Sequence, residues 1–216
     1  MRLLKERNDI VRFGKKLWTA GLTVATGGNL SVADRRKGLI AISPSAVDYF
    51  EMKPSQVVVV AMDGEKVEGR GKPSSELHLH LALYRKRRDV QAVVHTHSVY
   101  AATLAGLGLE IPAFHYLVGF SGKKIPLAPY ATFGSRELAS NVVEALGNFK
   151  AALMEKHGMV AVGESLPAAF TVAEIVEYLA RVYYQAKILG DPASLPDEEM
   201  NKVIEMFEHY VRGRSY

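Results

Sequence analysis

Cysteine is missing from all 216 residues, which excludes disulfides, thiolate nucleophiles and thiolate metal ligands. Any bound metal must be held by nitrogen and oxygen. Long apolar runs are missing too. None approaches the roughly 20 residues needed to cross a bilayer, and the charged stretch from Met1 to Asp9 lacks the apolar core of a signal peptide. The expected compartment is the cytoplasm. No Gly-Lys-Ser/Thr phosphate loop occurs, which disfavours nucleotide hydrolysis. There is little charge bias: 27 Lys and Arg face 23 Asp and Glu, a net charge of +4. The basic runs Arg35-Arg36-Lys37 and Arg85-Lys86-Arg87-Arg88 read as solvated surface, so neither nucleic acid nor membrane is expected as a partner.

What remains is an ordinary globular composition, 48% hydrophobic and 23% charged. The length suits a single domain over residues 1–216 with a core of its own. Ile10, Val11, Phe13, Leu17 and Trp18 recur at helical spacing, and Gly21 stops that helix. Residues 26–31, Thr-Gly-Gly-Asn-Leu-Ser, read as a small polar loop. Strands are expected at 39–42 and 57–62, the second turning at Asp63-Gly64 into a return strand at 66–69. Pro73-Ser74-Ser75-Glu76 opens a helix running through Leu77, Leu81 and Tyr84. A strand at 90–96, a short helix at 99–105, an extended piece at 112–116 and a helix at 135–146 capped by Gly147 follow. Residues 151–154 and 159–162 read as strands joined by the tight turn Lys156-His157-Gly158. A long helix at 166–189 is capped by Gly190, and Pro196 to Glu199 opens a last helix reaching Phe207 and Tyr210. Strands alternating with helices imply an α/β fold, a mixed sheet with helices on its faces.

The chemistry starts at Val93-Val94-His95-Thr96-His97. Residues two apart on a strand share a face, so both imidazoles can reach one metal ion. His157, in a turn followed by Gly158, is the third candidate, with Gly158 allowing a sharp bend or close approach. Glu76 could simply complement the helix dipole, and His80 shares its helix face four residues on. His95 and His97 need no help from His80 to bind a metal. His78, His115 and His209 are isolated. The loop Thr26-Gly27-Gly28-Asn29, the turn Ser43-Pro44-Ser45 and the helix start Ser74-Ser75 offer hydroxyls and backbone N–H groups, and together suit a phosphate.

These segments, in their order Thr26 to Ser31, Ser43 to Ser45, Lys72 to Glu76, His95 to His97 and Lys156 to Gly158, resemble the class II sugar-phosphate aldolase/epimerase family. Ile111 to Tyr116 and Pro129 to Gly134 add to the likeness, which covers nearly the whole chain. The resemblance implies a three-layer α/β/α fold around a largely antiparallel sheet, in a homotetramer with active sites between subunits. It implies Zn2+ on His95, His97 and His157, with Glu76 as a fourth ligand at rest and then as acid/base. It places the phosphate among Gly28, Asn29, Ser45, Ala46, Ser74 and Ser75, makes Tyr116 a proton donor to the neighbouring subunit's site, and has Phe133 and Tyr210 close over the aldehyde end. The implied reaction is reversible cleavage of a ketose 1-phosphate, such as L-fuculose 1-phosphate, to dihydroxyacetone phosphate and an aldehyde. Epimerisation of ribulose 5-phosphate and dehydration of methylthioribulose 1-phosphate are the family's alternatives; a shorter Asp usually stands at the acid position of the epimerase, so Glu76 favours the aldolase. The family usually has Gly where this chain has Ala46; an alanine can still donate its N–H, so anion binding there survives if the backbone needs no positive φ.

Overall fold

A computed structural model describes residues 1–212, with side chains described through His209. In chain order the elements are α1 (Leu4–Thr19), β1 (Asn29–Asp34), β2 (Leu39–Ile42), β3 (Val58–Ala61), β4 (Lys66–Glu68), α2 (Leu77–Lys86), β5 (Ala92–Thr96) and α3 (Val99–Gly106). They continue with a 3-10 turn (Tyr116–Phe120), β6 (Leu127–Ala128), α4 (Arg136–Leu146), β7 (Ala151–Met154), β8 (Gly158–Gly163), α5 (Leu166–Leu189) and α6 (Asp197–Arg212). The strands form one sheet in the order β4-β3-β2-β1-β5-β8-β7-β6. Every pairing is antiparallel except β6 with β7.

The strand sequences explain why both faces are covered. In the run Val57 to Val60 all four side chains are buried, and alternate ones enter different cores. A strand covered on one face only would alternate apolar with polar. Val57 and Val59 join the core built on α1, α3 and α5, while Val58 and Val60 join the one beneath α2 and α4. The sheet is thus the middle of three layers, and the expected α/β class holds. Each fully buried Val contributes about 1.5–3 kcal/mol.

Caps set the helix starts. Ser135 and Ser165 accept the N–H groups of Leu138 and Ala168. Ser74 Oγ accepts from Glu76 N at 3.2 Å, which holds Glu76 at the N-cap of α2.

Three expectations fail locally. Residues 29–31 are not loop but the start of β1, paired to β5 and β2. The extended reading ends early, because Tyr116 opens a 3-10 turn. At the turn before β8 it is Lys156, with φ 55°, that takes the left-handed conformation. Of the two uses expected for Gly158, the close approach is the one that applies: a Cβ there would lie 2.3 Å from the Thr96 carbonyl oxygen, so only glycine lets β8 approach β5 so closely.

Candidate active site

The site sits where the polar ends of β1 and β5 meet the start of α2. Register places Asn29 opposite His95 across the β1–β5 pair, so both side chains share a sheet face. That face lies beneath α2, whose N-cap residue is Glu76. The turn between β7 and β8 brings in His157.

The three imidazoles converge. Their ring centroids lie 4.7, 4.8 and 5.1 Å apart, and one ligand nitrogen from each falls within 4.8 Å of the others. His95 Nε2 is 2.9 Å from His97 Nε2 and 3.0 Å from Glu76 Oε2, and His157 Nε2 is 3.9 Å from Glu76 Oε1. His95 donates its Nδ1–H to the Met159 carbonyl at 2.9 Å, which leaves the Nε2 lone pair aimed at the cluster. Burial holds His95 well below the usual imidazole range, helped by the neighbouring rings. It also lowers His97, and lowers His157 to about 4. All three rings are therefore neutral at neutral pH, the form that ligates metal. The Glu76 contacts are for that reason not ion pairs.

Glu76 supplies the clearest sign of a missing positive charge. It is buried, and among the described residues its Oε2 has no hydrogen-bond donor. Burial pushes its carboxyl up, opposed by the Gly134 N–H and the Asn29 amide. A buried carboxylate oxygen without a donor, facing three imidazole lone pairs, fits a bound cation. This donor set could hold a divalent metal ion with an open position.

The anion segments line the same cavity of about 400 Å³, which Gly28, Asn29, Ser45, Ala46, Ser74, Ser75, Glu76, His95, His97, His157 and Phe133 all reach. A bridge between Pro44 and Pro73 ties the two serine segments together, with Ser45 N bonded to Lys72 O and Ser74 N to Ser43 O. Because Ser74 Oγ accepts from Glu76 N, its own hydroxyl hydrogen is free for the cavity.

Ala46 corrects one expectation. Its φ is +56°, so the backbone does take the left-handed form that the family's usual glycine accommodates. The N–H remains in the cavity wall, at the cost of strain in an alanine. Ala46→Gly is expected to raise stability by about 0.5–1 kcal/mol; a urea midpoint no higher than the parent's would contradict this.

Tyr116 is not among the cavity residues; it is half-exposed and stacks on His115 and Phe207. Phe133 lines the rim, 66% exposed. Tyr210 falls in the last turn of α6, and its side chain lies outside the described residues. His80 is not in the imidazole cluster. It is fully buried on the sheet-facing side of α2. The sequence reading missed Tyr49, whose hydroxyl reaches the carbonyls of both Gly27 and Gly28 at 2.9 Å and pins the glycine loop. It also missed Tyr130 and Lys156 at the cavity wall. Nothing in the local pattern marks Tyr49, while Lys156 stands beside a residue already singled out.

Burial lowers His80 to about 3. The folded chain keeps this ring neutral, while the unfolded chain protonates it below about pH 6.5. The unfolded state then binds more protons, so stability is full above that pH and falls as pH drops towards 3. The expected slope from His80 alone is about 1.4 kcal/mol per pH unit. Urea midpoints of chelated protein at pH 7 and pH 5 check it, and equal midpoints would refute it.

Comparison with known proteins agrees with this geometry. Residues 8–184 match the Class II Aldolase and Adducin N-terminal domain. The chain is 50% identical to the 5-deoxy-D-ribulose 1-phosphate aldolase of Bacillus thuringiensis serovar kurstaki, over 97% of this chain and 99% of that protein. It is 41% identical to the L-fuculose phosphate aldolase of Escherichia coli K12, over 88% of each. A solved L-fuculose 1-phosphate aldolase superposes with a TM-score of 0.93 at 45% identity, covering 94% of this chain and 96% of that one. Both the site and the likeness over most of its length place this chain in the class II aldolase and adducin N-terminal domain family.

Proposed function

We propose that this chain is a zinc-dependent aldolase that cleaves a ketose 1-phosphate to dihydroxyacetone phosphate and an aldehyde. The observation that carries the reading is the buried Glu76 Oε2, without a donor, set against three neutral imidazoles in a cavity that also holds the serine and glycine segments. A purely structural metal site would have no use for those anion-binding segments, nor for an open position.

In cleavage, the bond between the third and fourth sugar carbons breaks, and its electron pair becomes an enediolate on the three-carbon, phosphate-bearing half. His95, His97 and His157 would hold a divalent cation, which would supply Lewis-acid stabilisation of that charge, worth on the order of several kcal/mol of barrier. Glu76 sits within reach of the same space; its carboxylate takes the third-carbon hydroxyl proton as the enediolate forms and returns it to that carbon, and the proton leaving the fourth-carbon hydroxyl neutralises the remaining alkoxide to give dihydroxyacetone phosphate. Tyr116, exposed on its own chain, takes the fourth-carbon hydroxyl proton in a neighbour's site, within a homotetramer. Gly28, Asn29, Ser45, Ala46, Ser74 and Ser75 hold the phosphate away from the breaking bond and fix the orientation of the substrate. Phe133 and Tyr210 cover the aldehyde half. The chain works as one unit over residues 1–216.

The identity to the Bacillus thuringiensis protein favours a 5-deoxypentulose 1-phosphate over L-fuculose 1-phosphate as substrate. Glu76, in place of a shorter Asp, supports cleavage over epimerisation. The test is a turnover screen of ketose 1-phosphates and ribulose 5-phosphate, following dihydroxyacetone phosphate. Release from a 1-phosphate is expected. Inversion at one carbon without release would assign the epimerase chemistry instead, and loss of water from methylthioribulose 1-phosphate the dehydratase.

A further inference from the structure

Glu76, His80 and Tyr84 recur every four residues and so form one stripe along the start and length of α2. The stripe lies on Asn29 and Ser31, which share a face of β1. It makes a polar seam inside an otherwise apolar layer. The Tyr84 hydroxyl is 2.7 Å from Ser31 Oγ, Ser31 Oγ is 2.6 Å from His80 Nδ1, and His80 Nε2 bonds Asn29 Oδ1. Ser31 and His80 are wholly buried, and Asn29 and Tyr84 nearly so. Of the five residues, only Asn29 and Glu76 reach the cavity.

With the Asn29 amide oxygen facing His80, the hydrogens in this chain run in one direction. Asn29 Oδ1 accepts, so His80 Nε2 carries the ring hydrogen. A neutral ring has one N–H, so Nδ1 accepts and the Ser31 hydroxyl donates to it. The Tyr84 hydroxyl then donates to Ser31 Oγ. Reversing any link leaves a buried group unpaired. The consequence appears at the cavity end. With Oδ1 taken by His80, the Asn29 amide must present its NH2 on the other side, towards the cavity and the Glu76 carboxyl, whose rise it opposes. A flipped amide would turn an oxygen towards that carboxylate and towards any bound anion, and would repel both.

We propose that His80 is a positioning residue, whose Nε2–H locks the Asn29 amide so that its NH2 faces Glu76 and the anion-binding end of the cavity. The kinetic consequence rests on the aldolase reading above; the hydrogen-bond geometry does not.

Two measurements test it. The first is a long-range 1H–15N spectrum of the histidine rings in the parent protein, which needs no turnover. A neutral His80 protonated at Nε2 is expected. A ring protonated at Nδ1 would mean a flipped Asn29 and would overturn the proposal. The second is a pair of variants assayed on the ketose 1-phosphate that the parent cleaves. His80→Gln keeps an N–H donor at the Nε2 position and is expected to stay within about threefold of the parent KM. His80→Leu removes the donor and is expected to raise KM by about tenfold or more, as a lost hydrogen bond to an anion would. Its kcat should change less, and zinc content should match the parent's in both variants. A folded His80→Leu protein with the parent's KM, or a His80→Gln protein as impaired as His80→Leu, would overturn the assignment. Should neither variant fold, the ring tautomer decides. A parent that releases no dihydroxyacetone phosphate would count against the aldolase reading, while the tautomer would still test the positioning role.

Discussion

Glu76→Gln is expected to keep its metal and lose at least a hundredfold in turnover. The substitution preserves shape, so the amide can still accept from the Gly134 N–H, now 3.4 Å from Glu76 Oε1. Three imidazoles remain to bind the cation. What is lost is the proton carrier. Positioned proton transfer is worth about 10²–10⁴-fold, so the loss should fall on kcat and leave KM nearly unchanged. Glu76 suits the task because burial raises its carboxyl while Asn29 and Gly134 restrain that rise. Metal analysis together with kcat on the same preparation checks the prediction, and normal turnover by a metal-loaded variant would remove Glu76 from the reaction.

His95→Ala is expected to abolish both metal binding and turnover. His95 is the central ring of the cluster, closest to both His97 and Glu76 and fixed by the Met159 carbonyl. Loss of an outer hydrogen-bond partner alone weakens a metal site by about 10–100-fold, so removing a ligand should cost more than that. The variant also leaves two rings and a buried carboxylate facing a void, so its fold should be checked by near-ultraviolet circular dichroism. A folded His95→Ala protein with the parent's zinc affinity would show that the metal sits elsewhere.

Much of this was legible in the sequence because the relevant signals are local. The His95-Thr96-His97 spacing fixes two side chains on one strand face whatever surrounds them. The helix from 166 to 189 matches the observed α5 residue for residue, because periodicity and the Gly190 cap mark its limits, and the structure adds Ser165 as its N-cap. A mixed sheet with helices on its faces followed from strands alternating with helices, while the three layers came from the family resemblance.

The misreadings share a physical cause: they depend on what a residue meets across the fold. Thr26 to Ser31 looks like a turn because its side chains are small and polar. Asn29 and Ser31 nevertheless lie in a buried strand, since the stripe of α2 above them is polar as well. The Glu76–His80 spacing was visible, but the partners that turn His80 away from the metal come from β1. At Lys156-His157-Gly158, glycine could serve a bend or a close approach: the left-handed bend falls on Lys156, and Gly158 serves the approach to the Thr96 carbonyl, which leaves no room for any Cβ. Ala46 shows the converse, a left-handed position held by a residue that does not advertise it.

The most direct test is to strip the protein with chelator and restore zinc in measured amounts while following dihydroxyacetone phosphate release from a ketose 1-phosphate. Activity should vanish on stripping and return in proportion to zinc, levelling at one ion per chain. Undiminished cleavage by the metal-free protein, or zinc uptake that persists when His95, His97 and His157 are each replaced by Ala, would contradict the account.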